Sequence, residues 1–275
     1  MKKSKWNKLL GAILAIAFII PVTSLAAAEL MKASYEKDPV DTGKVVVSQE
    51  VQDKIRGQEP PAFTVNVERY KRFIVLLNVD VLYKNKIEEL LLMDKQLKDI
   101  LIAYEFLYER YGSWDALIKM LEGREAEKTW EELFTVYKQS HPDFAPRSFD
   151  FDYLNALMKR EDLSEDDIMI GDQIASASGE DFETIIELRA EGESWQEIST
   201  GYGLLNTRES IPRVSITAEQ LQKYISGEKL EEERIIEVLV LADKLGLNEK
   251  DAIGLAESGY SNEQIFAAAL QEKYK

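Results

Sequence analysis

Residues 179–198, with the sequence GEDFETIIELRAEGESWQEI, indicate the fold most clearly. A related sequence follows 67 positions later in residues 246–265, GLNEKDAIGLAESGYSNEQI. Gly112 stands at the same spacing before Gly179, and like Gly179 and Gly246 it closes an apolar stretch. Even spacing of this kind is typical of tandem helical repeats, in which each copy buries the apolar face of its neighbour.

The second and third copies align without a gap, residues 148–198 against residues 215–265. Most identical residues are apolar or turn-forming, as a packed helical unit requires. The identical pairs are Ser148/Ser215, Leu154/Leu221, Glu161/Glu228, Leu163/Leu230, Glu165/Glu232, Ile168/Ile235, Ala175/Ala242, Gly179/Gly246, Ile186/Ile253, Leu188/Leu255, Gly192/Gly259, Ser194/Ser261 and Ile198/Ile265. The first copy is looser, since an insertion of two residues separates its Leu121 from its Trp130.

A capping box begins the last helix of each copy, in TWEEL from Thr129, SWQEI from Ser194 and SNEQI from Ser261. The hydroxyl accepts from the N–H of the third helical residue, and the Glu or Gln there reaches back to the N–H of the cap. Gly192 and Gly259 lie two residues before the caps, where a left-handed residue ends the preceding helix. The pattern predicts an αα-hairpin.

The earlier hairpin of each copy uses the glycine of the 67-residue spacing, followed by Ser113, Asp181 or Asn248 as the candidate cap. Between these stops the apolar residues recur at helical spacing rather than in alternation. We therefore predict an all-α fold of three tandem units of two helical hairpins each, stacked as a short solenoid or compact helical array.

The apolar run FIVLLNVDVLY, which begins at Phe73, is also predicted to be helical. A continuous apolar run cannot by itself separate a buried helix from a strand. Here Tyr70, Phe73, Ile74, Leu77 and Val81 fall on one face of a single helix.

The N-terminus has the pattern of a secretory signal peptide. Four lysines precede an apolar run over residues 9–20, and Ala26, Ala27 and Ala28 follow. The run is shorter than the roughly 20 residues that span a bilayer. We expect cleavage after Ala26 or Ala28, a secreted or envelope-associated protein, and no transmembrane segment after cleavage.

The organisation follows from the repeat register and from Pro-Arg pairs before each new unit, at Pro146-Arg147 and Pro212-Arg213. Arg147 and Arg213 are candidate partner contacts. The predicted segments are a signal peptide (1–28), a polar, partly disordered spacer with a short helix near 49–55 (29–69), unit one with an N-terminal capping helix (70–148), unit two (149–214) and unit three (215–275).

Charge argues against nucleic acid as a partner. Without the four leader lysines, the chain has 30 basic and 50 acidic residues, which gives a net charge of −20. Binding to phosphate backbones depends on positive charge, so we expect no nucleic-acid partner.

Residues 180–205 nevertheless resemble the helix-turn-helix domain of resolvase-type recombinases and related regulators. The residues that carry the resemblance are Leu188, Arg189, Gly192, Ser194, Trp195, Glu197, Ile198, Gly203 and Leu204. The resemblance implies a DNA-reading helix after Leu204. The chain instead continues LNTRESIPR to Pro212 without apolar periodicity, so we predict that this helix is absent and that a capped αα-hairpin explains the likeness.

No catalytic, cofactor or metal site is predicted. There is no cysteine, and the single histidine, His141, lies in the linker SHPDFAP. Neighbouring acids such as Asp150/Asp152 or Glu161/Asp162 are unavoidable among 50 acidic residues and do not by themselves indicate a glycosidase. The acidic run over residues 161–167 lacks the glycine and distal glutamate of an EF-hand, and Ser164 with Asp167 predicts a helix start.

Trp130 and Trp195 each follow a cap, where an indole packs into the joint between helices or, alternatively, offers a stacking platform to a partner. We predict an exported, non-enzymatic helical repeat protein that binds a protein or envelope polymer, without a cofactor. The alternatives are a carboxylate-dependent cell-wall hydrolase and a helix-turn-helix DNA-binding regulator.

Overall fold

The structure, a computed structural model, describes residues 40–160, 162–225, 227 and 229–275. Over these ranges the regular structure is helical, apart from one isolated backbone bridge between Ser113 and Leu204. The all-α prediction is therefore confirmed. The predicted signal peptide and the first part of the predicted spacer lie outside the described residues.

The helices of the described ranges follow one another with short connections. They are α1 (Gln49–Gln58), α2 (Phe63–Leu76), α3 (Val81–Leu92), α4 (Leu97–Tyr108), α5 (Trp114–Glu125), α6 (Trp130–Ser140), α7 (Phe151–Met158), α8 (Glu165–Ser178), α9 (Phe182–Ala190), α10 (Trp195–Gly201), α11 (Ala218–Ile225), α12 (Glu232–Leu245), α13 (Glu249–Glu257) and α14 (Asn262–Lys273). A short 3-10 turn, Pro60–Ala62, joins α1 to α2. No helix in the described ranges combines the length and apolar character needed to cross a bilayer.

The chain forms two compact bodies. The larger contains the described residues up to Arg213 together with Tyr274, and the smaller contains Val214–Lys273. The division coincides with the predicted boundary between units two and three. Copies one and two share the larger body, so the predicted boundary near residue 148 does not separate bodies.

The helix bounds repeat at the spacing that the sequence predicts. Helices α7, α8 and α9 begin and end 67 residues before α11, α12 and α13. Gly179 and Gly246 end α8 and α12 with φ of 77° and 63°, which an L side chain rarely adopts. The helix bounds of copies two and three therefore follow the predicted register, whereas their organisation as tandem units and their stacking as a solenoid remain predictions.

Gly112, in the first copy, has a different role from its counterparts. The left-handed residue there is Tyr111, with φ of 50°. A Cβ on Gly112 would lie 2.6 Å from Leu107 Cδ2 and 3.0 Å from Tyr137 Oη. This glycine is required by close packing, because the space that a side chain would occupy is already filled.

The prediction of one helix through FIVLLNVDVLY is wrong. Helix α2 ends at Leu76 and α3 begins at Val81. Between them Asn78 is left-handed, with φ of 45°, and Asp80 caps α3 by accepting from Leu82 N at 2.7 Å. An asparagine that tolerates φ above zero and an aspartate that caps a helix outweigh the apolar periodicity.

The predicted spacer is folded where the structure describes it from residue 49 onward. The short helix expected near residues 49–55 is confirmed as α1, which buries Val51 and Ile55. Helix α2 begins at Phe63, before the predicted start of unit one at residue 70. Val51 and Ile55 are four positions apart and therefore lie on the same face of α1, the face that is buried.

Candidate functional site

Trp195 is fully buried, with an exposed fraction of 0%. Its indole Nε1 donates to Asp167 Oδ1 at 2.7 Å. Arg189 Nε donates to the same oxygen at 2.9 Å, and its guanidinium lies 5.2 Å above the indole ring. The tryptophan thus joins the start of α8 to the α9–α10 turn.

Asp167 also belongs to a capping box at the start of α8. The N–H of Ser164 donates to Asp167 Oδ2 at 2.8 Å, and Asp167 N donates to Ser164 Oγ at 3.2 Å. Burial would raise the pKa of Asp167, but the donors on Ser164 and Trp195 and the charge of Arg189 hold it below its ordinary value. The predicted helix start is confirmed, and Glu161 of the acidic run lies outside the described residues.

Trp130 is buried as well, with an exposed fraction of 1%. Its ring lies 5.5 Å from that of Phe134, and Arg124 covers it at 5.1 Å. An indole with this burial offers no face to a partner, so the stacking-platform alternative is wrong for both Trp130 and Trp195. Their predicted packing role is confirmed.

The two linker arginines differ in availability. Arg147 donates through its backbone N at 2.9 Å, and through Nε, to Asp172, whose side chain is only 2% exposed. This ion pair is structural. Arg213 donates to Asp166 Oδ1 at 2.9 Å and is 75% exposed, against 39% for Arg147. Of the four predicted partner contacts, the two arginines therefore reach solvent, Arg213 more than Arg147.

The residues considered for catalysis have structural partners. His141 is exposed and stacks on Tyr137 with ring centroids 4.1 Å apart. Asp150 caps α7 by accepting from Asp152 N at 3.0 Å, and Asp162 binds Arg160 at 2.9 Å. Among the described residues no group of three or more His, Asp or Glu side chains is arranged to hold a metal ion.

The segment after α10 is not a DNA-reading helix. Residues 204–217 carry no helix, as expected, and Leu204–Thr207 are buried. Leu205 N donates to Gly112 O and Trp114 N donates to Gly203 O, both at 2.9 Å. The stretch LNTRES therefore joins copy two to copy one inside the larger body.

This joint is reinforced by buried polar groups. Asn206 Nδ2 donates to Tyr108 O at 2.7 Å, and Thr207 Oγ1 donates to Asn78 O at 2.9 Å. The guanidinium of Arg208 makes two hydrogen bonds to Glu109, one of them at 3.1 Å. The joint could not be predicted from the sequence, because nothing within the segment reveals a partner some 100 positions away.

The α2–α3 turn displays aliphatic side chains to solvent. We call the exposed residues Val75, Leu76, Val81 and Leu82 the apolar corner; Leu76 is 55% exposed and Val81 68%. The prediction of a single helix had placed Val81 on its apolar face. The asparagine and aspartate inside the apolar run are the signal that could have located this corner.

The corner is held in place from copy two. The carbonyl oxygen of Asn78 accepts from Thr207 Oγ1 and, at 3.0 Å, from Gln196 Nε2. The carbonyl oxygen of Leu77 accepts from Thr207 Oγ1 at 3.1 Å. Two side-chain donors therefore fix the turn, with the single hydroxyl hydrogen of Thr207 shared between two carbonyl oxygens, and the turn presents its aliphatic groups in one arrangement.

No protein-family model, curated protein or solved structure matches this chain.

Proposed function

We propose that the protein is an exported, non-enzymatic helical module that binds a partner protein through the apolar corner. The observation that carries the proposal is the exposure of four aliphatic side chains on a turn that copy two braces. Exposed aliphatic groups concentrated at one place mark interaction surfaces in soluble proteins. A braced turn loses little conformational freedom when a partner binds.

Charge specifies the kind of partner. The whole chain carries a net charge of −16, and Glu209 stands beside the corner, where its Oε1 accepts from Gln196 N at 3.2 Å. A protein field of this sign attracts cations and repels polyanions. The partner that fits is a basic protein segment with apolar side chains flanked by Lys or Arg.

The corner is tested by the double variant Leu76→Glu/Val81→Glu. Its matched control is Met93→Glu/Val136→Glu, since those side chains are also exposed, by 68% and 59%. A photo-crosslinker placed at Leu82 in the native envelope should label a basic protein, less so as salt rises. The corner variant should lose this product and the control should keep it. Equal labelling of both, or labelling of acidic proteins only, contradicts the proposal.

Export is tested separately by the mass and N-terminal sequence of the native protein. Cleavage after Ala26 or Ala28 leaves a chain that begins at Ala27 or Glu29. A native chain that retains Met1 contradicts export and favours an intracellular role.

The enzyme alternative is tested by incubating the mature protein with purified cell-wall polymer. We expect no released fragments. Release that a single acid-to-amide substitution abolishes would contradict the binding function and favour a hydrolase.

A further inference from the structure

The connection between α10 and α11 has two parts with different properties. Leu204–Thr207 are buried in the joint to copy one, whereas every residue from Glu209 to Thr217 is exposed or half-buried. The second part contains the peptide bond between Arg213 and Val214, where the larger body ends and the smaller one begins. Exposed connections of this kind are the places where proteases most readily cut a folded chain.

The backbone after this bond makes few hydrogen bonds. Val214, Ser215 and Ile216 lie outside the helices, and within the described ranges their N–H groups donate no hydrogen bond. A protease holds its substrate as an extended chain, so a helical segment must first open, at a cost in free energy, before it can be cut. Because this segment has no helical hydrogen bonds to lose, that cost is small here.

Arg213 supplies a recognition group directly before the bond. Its hydrogen bond to Asp166 is a surface ion pair, since 75% of the arginine side chain is exposed. Surface pairs contribute little free energy, so a protease pocket can replace this partner. Trypsin-type proteases bind the basic side chain before the scissile bond on a carboxylate in their specificity pocket. The other arginines outside the helices are between 19% and 39% exposed: Arg110, Arg147, Arg160 and Arg208.

Arg147 belongs to the other Pro-Arg pair and has a different environment. Its Nε and its backbone N both donate to Asp172, whose side chain is buried. Its guanidinium also lies over the ring of Phe182, 4.8 Å from the centroid. A protease that withdrew this arginine would break an ion pair with a buried carboxylate, which is costly. The two pairs therefore differ, with Arg213 available and Arg147 protected.

We propose that the Arg213–Val214 peptide bond is a processing site for a trypsin-type protease specific for arginine. The reaction is hydrolysis. Water adds to the carbonyl carbon of Arg213 and the C–N bond breaks, which leaves a carboxylate on Arg213 and a protonated amino group on Val214. The cut falls between helices and divides the chain where the two bodies divide, so no helix is interrupted.

The first test uses the protein from the cells that make it. Labelling of free amino groups and mass spectrometry should detect one chain that begins at Val214 and another that ends at Arg213. The variant Arg213→Gln, expressed in place of the wild-type protein, should lack both. The matched control Asp166→Asn removes the ion pair but keeps the arginine, so it should be cleaved at least as much as the wild-type protein.

Two results of this first test overturn the proposal. One is the absence of a chain that begins at Val214 from the wild-type preparation. The other is the persistence of that chain in Arg213→Gln. Neither result involves the apolar corner, so the binding function proposed above is tested independently.

The second test measures access to the bond in the purified, folded protein. A small amount of an arginine-specific endoprotease should cut after Arg213 at least about tenfold faster than after Arg147. Arg213→Gln should lose this first cut and keep the helical circular dichroism of the wild-type protein. A first cut after Arg147, or after any other arginine, overturns the assignment of Arg213 as the accessible site.

Discussion

Copies two and three place their helices in the same register but join them with opposite chemistry. In copy two, Asp167 accepts from the indole of Trp195 and from Arg189. The residue 67 positions later is Arg234, which donates to Asn262 Oδ1 at 2.6 Å and to Tyr260 O at 2.9 Å. At this position copy two therefore has an acidic side chain that accepts hydrogen bonds, and copy three has a basic side chain that donates them.

The comparison teaches that this repeat preserves geometry rather than side-chain identity. The helix starts depend on local caps, and the glycine stops depend on backbone conformation. The joint between the first long helix and the following hairpin needs only that its polar groups be satisfied. Different residue pairs meet that need, so each copy can change its surface and its stability separately.

The largest expected effect comes from Asp167→Ala. It leaves the indole N–H of the fully buried Trp195 without an acceptor and removes one carboxylate partner of Arg189, so the free energy of unfolding should fall by about 3 kcal/mol. The matched change Arg234→Ala should cost about 1 kcal/mol, since its side chain is 24% exposed. Chemical denaturation measures both, and equal losses would show that the two joints are energetically alike.

Substitution of the spaced glycines should also separate the copies. Gly112→Ala should cost about 2 kcal/mol, because the added methyl overlaps Leu107. Gly246→Ala should cost about 1 kcal/mol, because its Cβ meets open space and only the left-handed backbone opposes it. The midpoints of urea unfolding provide the comparison. A larger loss for Gly246→Ala would refute the close-packing role of Gly112.

The capping boxes should behave alike in different copies. Ser194 Oγ accepts from Glu197 N and Ser261 Oγ accepts from Gln264 N, both at 3.2 Å. Ser194→Ala and Ser261→Ala should each cost about 1 kcal/mol. Ser210→Ala, in an exposed connection, serves as the control and should leave the melting temperature unchanged.

The smallest expected effect is a pH dependence that Asp167 gives to copy two and that copy three, with Arg234 at the same position, lacks. The pKa of Asp167 is held below its ordinary value in the folded state. Its contribution to stability is therefore complete above about pH 3.9 and is lost as the pH falls through the folded pKa. Between about pH 6 and about pH 3, the urea midpoint of the wild-type protein should fall further than that of Asp167→Asn. Identical falls would show that Asp167 does not titrate differently on folding.

Much of the architecture could be predicted because it depends on residues close in sequence. Each capping box joins residues three positions apart, as in Ser194 and Glu197. The glycines spaced 67 residues apart mark where the hairpins turn. The candidate surfaces could not be predicted in this way. The apolar corner arises because Asn78 and Asp80 interrupt an apolar run that otherwise has helical periodicity. Whether such a pair ends the helix depends on how the turn packs, which the run itself does not show.

The sequence by itself determined the helical class and the starts and stops of the helices in copies two and three, since capping and left-handed glycine turns are local free energies. Only the tertiary structure decided what those helices present to each other. Trp195 meets Asp167 across 28 positions and Thr207 meets Leu77 across 130. Such contacts depend on where the whole chain places two groups, which no short stretch of sequence specifies.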